Sequence, residues 1–163
     1  MPDAPHNPVP AASPWGLRRN VQRAMWILMG RALFASTPMP VRRLILRAFG
    51  ATIDSSAFVH RTVRIEIPWT LTIGPGVRVG EHAVLYALGP ISLGAHTTIA
   101  PYAHLCAGTH DFSTRRFDLV RPPITLGPRC TVGVDAYIGP GVTMAEGSTL
   151  APALNTDELR VRL

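Results

Sequence analysis

At 163 residues the chain is long enough for one domain with a sizeable core and too short for several. All 16 basic side chains are arginine and the net charge is +6; residues 1–50 carry that excess with seven arginines and one acid, while beyond residue 50 nine arginines balance nine acids. A basic chain throughout would suggest nucleic acid, whereas a basic segment on a neutral body points to local contact with an anionic surface such as a membrane leaflet, or to a solvated arginine face.

Residues 1–14 (MPDAPHNPVPAASP) are rich in Pro and Ala without periodicity and read as a disordered tail. They show no cationic n-region and no apolar h-region, so no signal peptide is expected. With only Cys106 and Cys130 there is no disulfide framework, and the expectation is a cytoplasmic chain with reduced thiols.

Residues 15–50 read as a basic amphipathic helical segment of two short helices. In 15–35, Leu17, Val21, Ala24, Met25, Leu28 and Ala32 fall on one stripe at helical spacing, with Arg19 and Arg23 on the other side. The second, roughly 41–49, starts after Pro40 and stops at Gly50, and its Arg42, Arg43 and Arg47 surround Leu44, Ile45 and Leu46. Arg31 interrupts the apolar run, and Pro38 and Pro40 close it, which argues against a membrane span. Two readings of the stripe stay open: packing on the next domain or another subunit, and an interfacial helix in peripheral contact with a membrane.

From Ile53 the chain takes a period of six. Ile53, Val59, Ile65, Ile73, Val79, Leu85, Leu93, Ile99, Leu105, Leu126, Val132, Ile138, Met144 and Leu150 are all aliphatic or Met, and a mostly small residue follows four places later, as at Ala57, Ala83, Ala103 and Ala136. The steps 65→73 and 85→93 are eight, so one turn is three rungs with a two-residue insertion recurring at one corner. LTIG at 71–74, ISLG at 91–94 and ITLG at 124–127 repeat; the last is displaced by a thirteen-residue insertion, 111–123. A six-residue unit carries a short strand and one tight corner. Three units make a triangular coil, and coils hydrogen-bonded to one another make a parallel β-helix over residues 51–152. Residues 153–163 read as an irregular tail.

The [LIV]-[GA]-x-x-[STAV]-x pattern resembles the hexapeptide-repeat acyltransferases, whose fold is a left-handed parallel β-helix. RRLILRAFGA (42–51), PWTLTIG (68–74), YALGPISLG (86–94), LCAGTHDFS (105–113), PPITLG (122–127) and IGPGVT (138–143) are similar to the branch typified by the colanic acid biosynthesis O-acetyltransferase, related to maltose and galactoside acetyltransferases. The resemblance implies an all-β solenoid behind two short helices and a homotrimer with active sites at subunit interfaces. It also implies acetyl-coenzyme A as donor and a sugar or lipid-linked sugar as acceptor in exopolysaccharide biosynthesis. No nucleic acid partner and no metal are expected.

Acetyl transfer from a thioester to a hydroxyl needs a base for the hydroxyl proton, and neutral imidazole is the usual one at neutral pH. No covalent intermediate is required. His110 is the sixth residue of its rung, and the excursion 111–123 begins after it. The resemblance puts it at the family's catalytic histidine position. Asp111 is a candidate to orient the imidazole or bind the acceptor, Tyr86 to line the acceptor pocket, and Arg115 and Arg116 to meet an anionic sugar or phosphate. A backbone N–H near Gly133 and Val134 is a candidate for donor or oxyanion contact.

His82, His96 and His104 raise the alternative of a zinc site like that of the gamma-class carbonic anhydrases, but their rung positions do not bring three together in one chain. Relative to the family pattern the chain shows no basic residue around Asn155–Asp157, and Thr131 stands where an aromatic is common. The sequence therefore predicts an uncapped last coil and an incomplete donor site, which keeps a non-catalytic β-helix trimer as the alternative.

Overall fold

The computed structural model describes residues 15–112 and 117–153. The tails expected at 1–14 and 154–163 lie outside them. Residues 17–36 form one helical rod, made of α1 (Leu17–Met25), a π-helical turn (Trp26–Gly30) and α2 (Arg31–Ser36); α3 (Met39–Ala48) follows with a proline in its first turn.

Beyond it, strands of two or three residues wind into a three-sided parallel solenoid. Sheet I stacks β1 (Thr52–Ile53), β4 (Leu71–Ile73), β7 (Ile91–Leu93), β12 (Ile124–Leu126) and β15 (Thr143–Met144). Sheet II stacks β2 (Phe58–Val59), β5 (Arg78–Val79), β8 (Thr98–Ile99), β13 (Thr131–Val132) and β16 (Thr149–Leu150). Sheet III holds β3 (Arg64–Ile65), β6 (Val84–Tyr86), β9 (His104–Cys106) and β14 (Tyr137–Ile138). In sheet I, Thr52 pairs with Thr72, Thr72 with Ser92, Ser92 with Thr125 and Thr125 with Thr143, steps of 20, 20, 33 and 18 residues. The 18-residue step is three bare hexads. The 20-residue steps add two residues and the 33-residue step the long excursion, all at the corner between sheets III and I.

The hexad positions are the core. Ile53, Val59, Ile65, Ile73, Val79, Leu85, Leu93, Ile99, Leu105, Leu126, Val132, Ile138 and Leu150 are buried, and Met144 packs half-buried against them. The small positions Ala57, Ala83, Ala103, Cys130 and Ala136 are buried too. At the polar small position 97 the hydroxyl finds a corner carbonyl of the next coil: Thr97 Oγ1 donates to Gly127 O (2.9 Å). The residue after the aliphatic has no room for a side chain; a Cβ on Gly94 would lie 2.5 Å from the Gly127 carbonyl carbon.

The N–H that follows each strand donates to a strand-end carbonyl of the next coil, as in Asp54 N–H to Ile73 O, His60 N–H to Val79 O and Glu66 N–H to Leu85 O, while corner N–H groups such as those of His96 and Tyr102 donate back to the coil before, to Pro75 O and Glu81 O. The carbonyls of the first coil have no earlier coil to serve, and buried carbonyls need partners. The helical segment supplies them. Arg47 donates to Ile53 O (2.6 and 3.0 Å), Arg42 to Val59 O (3.0 Å), and Arg31 (3.1 and 3.3 Å) with Trp26 Nε1 (3.0 Å) to Ile65 O. These are the same hexad position on the three sheets. Arg43 adds a bond to Ala57 O (3.1 Å).

This corrects two sequence expectations. The arginines at 31, 42, 43 and 47 are more than a solvated face, because each donates to a carbonyl of the open first coil, although Arg47 stays exposed along its length; Arg23 pairs with Glu66, and Arg18 and Arg19 remain exposed. The stripe Leu17, Val21, Ala24, Met25, Leu28 and Ala32 does not pack on the β-helix; it points away and is exposed, while Trp26, Gly30 and Phe34 on the opposite side are buried. Packing of that stripe on the following domain is thereby excluded. Hydropathy alone puts the apolar face inward, but the unpaired carbonyls draw the arginine face there instead.

Candidate active site at His110

The regular winding ends at Ala107, and the excursion leaves sheet III as a small hairpin. β10 (Thr109–His110) and β11 (Leu119–Val120) pair antiparallel, with His110 opposite Leu119. Asp111 N–H donates to Asp118 O (2.8 Å), which continues the ladder past His110, and Asp111 itself is half-buried. The stem is anchored at its base. Val120 is buried, and the Arg121 guanidinium lies 4.3 Å over the Trp15 ring, which also receives Arg23 at 5.4 Å. Burial, then the charge of Arg23, lowers the Arg121 pKa from the ordinary arginine value.

The imidazole of His110 is exposed, and its Nδ1 lies 2.6 Å from the carbonyl oxygen of Phe117. A carbonyl only accepts, so Nδ1 carries the hydrogen in this contact and, in the neutral ring, Nε2 is left as a proton acceptor. The carbonyl is aimed by unusual backbone: Phe117 has φ +49°, and its ring packs edge-on against Phe112 at 5.9 Å. Phe117 was invisible to sequence reasoning, because the contribution is a main-chain oxygen and any residue has one. Arg115 and Arg116 lie outside the described residues.

Tyr86 ends β6, one coil below the strand leading to His110, and is half-buried opposite Cys106. It joins a ring ladder on the outer face of sheet III: His104 meets Tyr86 edge-on at 6.5 Å and Tyr137 at 5.5 Å. Burial, then the charge of Arg64, lowers the His104 pKa, and its Nε2 is buried without a hydrogen-bond partner. The structure thus groups Tyr86 with His104 and Tyr137, the second of which carried no sequence signal beyond its rung position.

Gly133 and Val134 sit at the corner between sheets II and III, not at the corner where His110 emerges. The Gly133 N–H is occupied, donating to Leu150 O (2.8 Å), so it is no oxyanion donor; this narrows the expected pair to Val134, which is exposed and whose carbonyl accepts from Ala153 N–H (2.8 Å). Among the described residues no group of three His, Cys, Asp or Glu side chains could hold a metal ion. His82 and His96 lie at left-handed corners, with φ of 55° and 59°, and His82 stacks on Tyr102 at 5.1 Å.

No family model matches the chain. It is 35% identical over 129 residues to the colanic acid biosynthesis acetyltransferase WcaF of Escherichia coli (strain K12), covering 77% of this chain and 71% of that one. Among solved structures, it resembles the hexapeptide-repeat containing acetyltransferase VCA0836 of Vibrio cholerae O1 biovar eltor, complexed with acetyl coenzyme A. The TM-score is 0.75 at 19% identity over 85% of this chain and 77% of that one. Against a galactoside acetyltransferase in complex with coenzyme A the TM-score is 0.69 at 18% identity, over 86% and 73% of the two chains. The two structural likenesses speak to the fold, which is the one expected from the hexad pattern.

Proposed function

We infer the reaction from kinship and from one contact: the chain belongs to the family of colanic acid biosynthesis acetyltransferases and is an acyltransferase, and its His110 is held as a base. It moves an acetyl group from acetyl-coenzyme A to a hydroxyl of a sugar, free or lipid-linked, in exopolysaccharide biosynthesis on the cytoplasmic side of the membrane. The observation that supports the role of His110 is the hydrogen bond from Nδ1 to Phe117 O, which leaves Nε2 of the exposed, neutral ring as a proton acceptor.

The donor supplies an acetyl thioester. His110 Nε2 takes the proton of the sugar hydroxyl as its oxygen bonds to the thioester carbonyl carbon. The tetrahedral adduct collapses with cleavage of the C–S bond, and the imidazolium returns the proton to the thiolate. The Phe117 carbonyl stays hydrogen-bonded to Nδ1 throughout and stabilises the transient positive ring. Neither Cys130, which is buried, nor Cys106, whose thiol lies 3.3 Å from the Gly108 carbonyl, is needed as a nucleophile. Asp111 and Tyr86 face the acceptor, Arg115 and Arg116 meet its anionic groups or the donor's phosphates, and the Val134 N–H is the oxyanion donor.

Val134 and His110 occupy different corners of one chain, so the site is completed between chains of a homotrimer, with the corner of one copy beside the hairpin of the next. The test is release of free thiol from acetyl-coenzyme A with a panel of sugars, on the unmodified chain and on His110→Ala. Turnover that is lost in the variant, with donor binding kept, supports the reading. A chain that binds no donor and turns over no sugar is the non-catalytic trimer instead.

A further inference from the structure

The outer face of the helical cap is apolar, and nothing among the described residues covers it. Leu17 (81% exposed), Val21, Leu28 (78%), Met29 and Leu33 are exposed along the rod 17–36, and Leu44 (62%) is exposed on α3. A 20-residue helix is about 30 Å long. The hydroxyls at the far end of the rod bond back onto it, Ser36 Oγ to Ala32 O (2.9 Å) and Thr37 Oγ1 to Leu33 O (2.8 Å), so they ask nothing of the surroundings.

The charge around this face has one sign. Residues 15–50 contain seven arginines and no acid. Two acids of the first coil approach them: Glu66 is buried and held by Arg23 (2.8 Å) and Arg31 (2.6 Å), and Asp54 feels the charges of Arg47 and Arg43. Arg18 and Arg19 are exposed on α1, the helix that carries this face, and exposed charges act over roughly the 8–10 Å screening length of physiological salt. A second copy laid symmetrically on this face would set one arginine-rich helical segment against another, with no acid in either segment to answer them. A surface that is apolar beneath and anionic at its rim answers both features.

We propose that this face docks on an anionic lipid bilayer: α1 and α2 lie in the plane of the headgroups, with Leu17, Val21 and Leu28 set into the acyl boundary. The first coil then faces the membrane and the later coils project away from it. The inference does not depend on the reaction assigned to His110.

The test is flotation of the full chain with vesicles of phosphatidylcholine alone and of phosphatidylcholine with phosphatidylglycerol. The unmodified chain and a Leu17→Ser, Val21→Ser, Leu28→Ser variant are compared, both checked for an unchanged thermal midpoint and unchanged mass in solution. Flotation with the phosphatidylglycerol vesicles that falls at least tenfold in the variant supports the proposal. Failure of the unmodified chain to float, or equal flotation of the variant, overturns it. So does a change of oligomeric mass in the variant, which would make the face a contact between copies. If the variant does not fold, Leu17→Ser and Leu28→Ser are compared singly by the same readouts.

Discussion

The Nδ1 of His110 and the carbonyl oxygen of Phe117 lie 2.6 Å apart across the stem of a hairpin that leaves the solenoid at one corner. The contact holds one tautomer, and it depends on a residue at φ +49° to turn its carbonyl inward. Phe117→Pro would force φ to about −65° and swing that oxygen away. The expected result is a fall in kcat of about tenfold to a hundredfold with the Kd for acetyl-coenzyme A unchanged, since general-base assistance is worth about 10²–10⁴ in rate. Phe117→Gly, which tolerates positive φ, keeps most of the activity. Steady-state kinetics with calorimetric donor binding separates the two; equal activity in Phe117→Pro would remove the carbonyl from the mechanism.

Arg42 is a buried cap, packed over the rings of Phe34 and Phe58 and donating to Val59 O. Arg42→Met keeps much of the packing but strands that carbonyl, for a loss of about 1–3 kcal/mol. Arg18→Ala, at an exposed position of the same segment, should change stability by less than about 0.5 kcal/mol. Urea unfolding midpoints for the two variants check the contrast.

Gly94 sits where two coils touch, with backbone atoms of residues 127 and 128 within 2.8 Å of an added Cβ. Because the obstacle is main chain and not a movable side chain, Gly94→Ala must part the coils. The expected destabilisation is about 1–3 kcal/mol, the range of an overpacked core. A thermal midpoint equal to that of the unmodified chain would contradict the close approach.

Glu66 links α1 and α2 to the first coil. Burial pushes its carboxyl up, but the hydrogen bonds and charges of Arg23 and Arg31 outweigh that and leave it below its usual value of 4.5. A depressed folded value means the unfolded chain binds the proton first. The contribution is therefore present above about pH 4.5 and is lost as pH falls through the lower folded value. The urea midpoint of the unmodified chain should drop across that window, and the Glu66→Gln variant should drop less.

His104 gives the second pH signal. Its lowered pKa means that protonation favours the unfolded chain. Stability from the neutral ring is present above the usual histidine value of about 6.5 and declines as pH falls below it. His104→Phe should flatten that part of the stability curve, between about pH 6.5 and the acid limb due to Glu66.

The solenoid was legible because its determinants are local and repeated. A strand of two residues, an aliphatic inward, a corner with no space for a side chain: each hexad states the same rule, so Ile53 through Leu150 announced the core. The spacing predicts the break in the period after His110, whereas the structure ends the winding at Ala107 and puts Thr109–His110 in the hairpin, because an antiparallel partner replaces the next coil there. Tertiary structure alone decided the rest. The carbonyls of Ile53, Val59 and Ile65 become orphans only once the first coil has closed, so nothing in residues 31–47 taken alone reveals that Arg31, Arg42 and Arg47 are its missing donors or that the apolar stripe must face outward. The Phe117 carbonyl likewise finds His110 only when the hairpin folds back. Hydrophobic periodicity is written in side chains, while the hydrogen-bond needs of a coil's open end, and the aim of a main-chain oxygen, exist only in the assembled backbone.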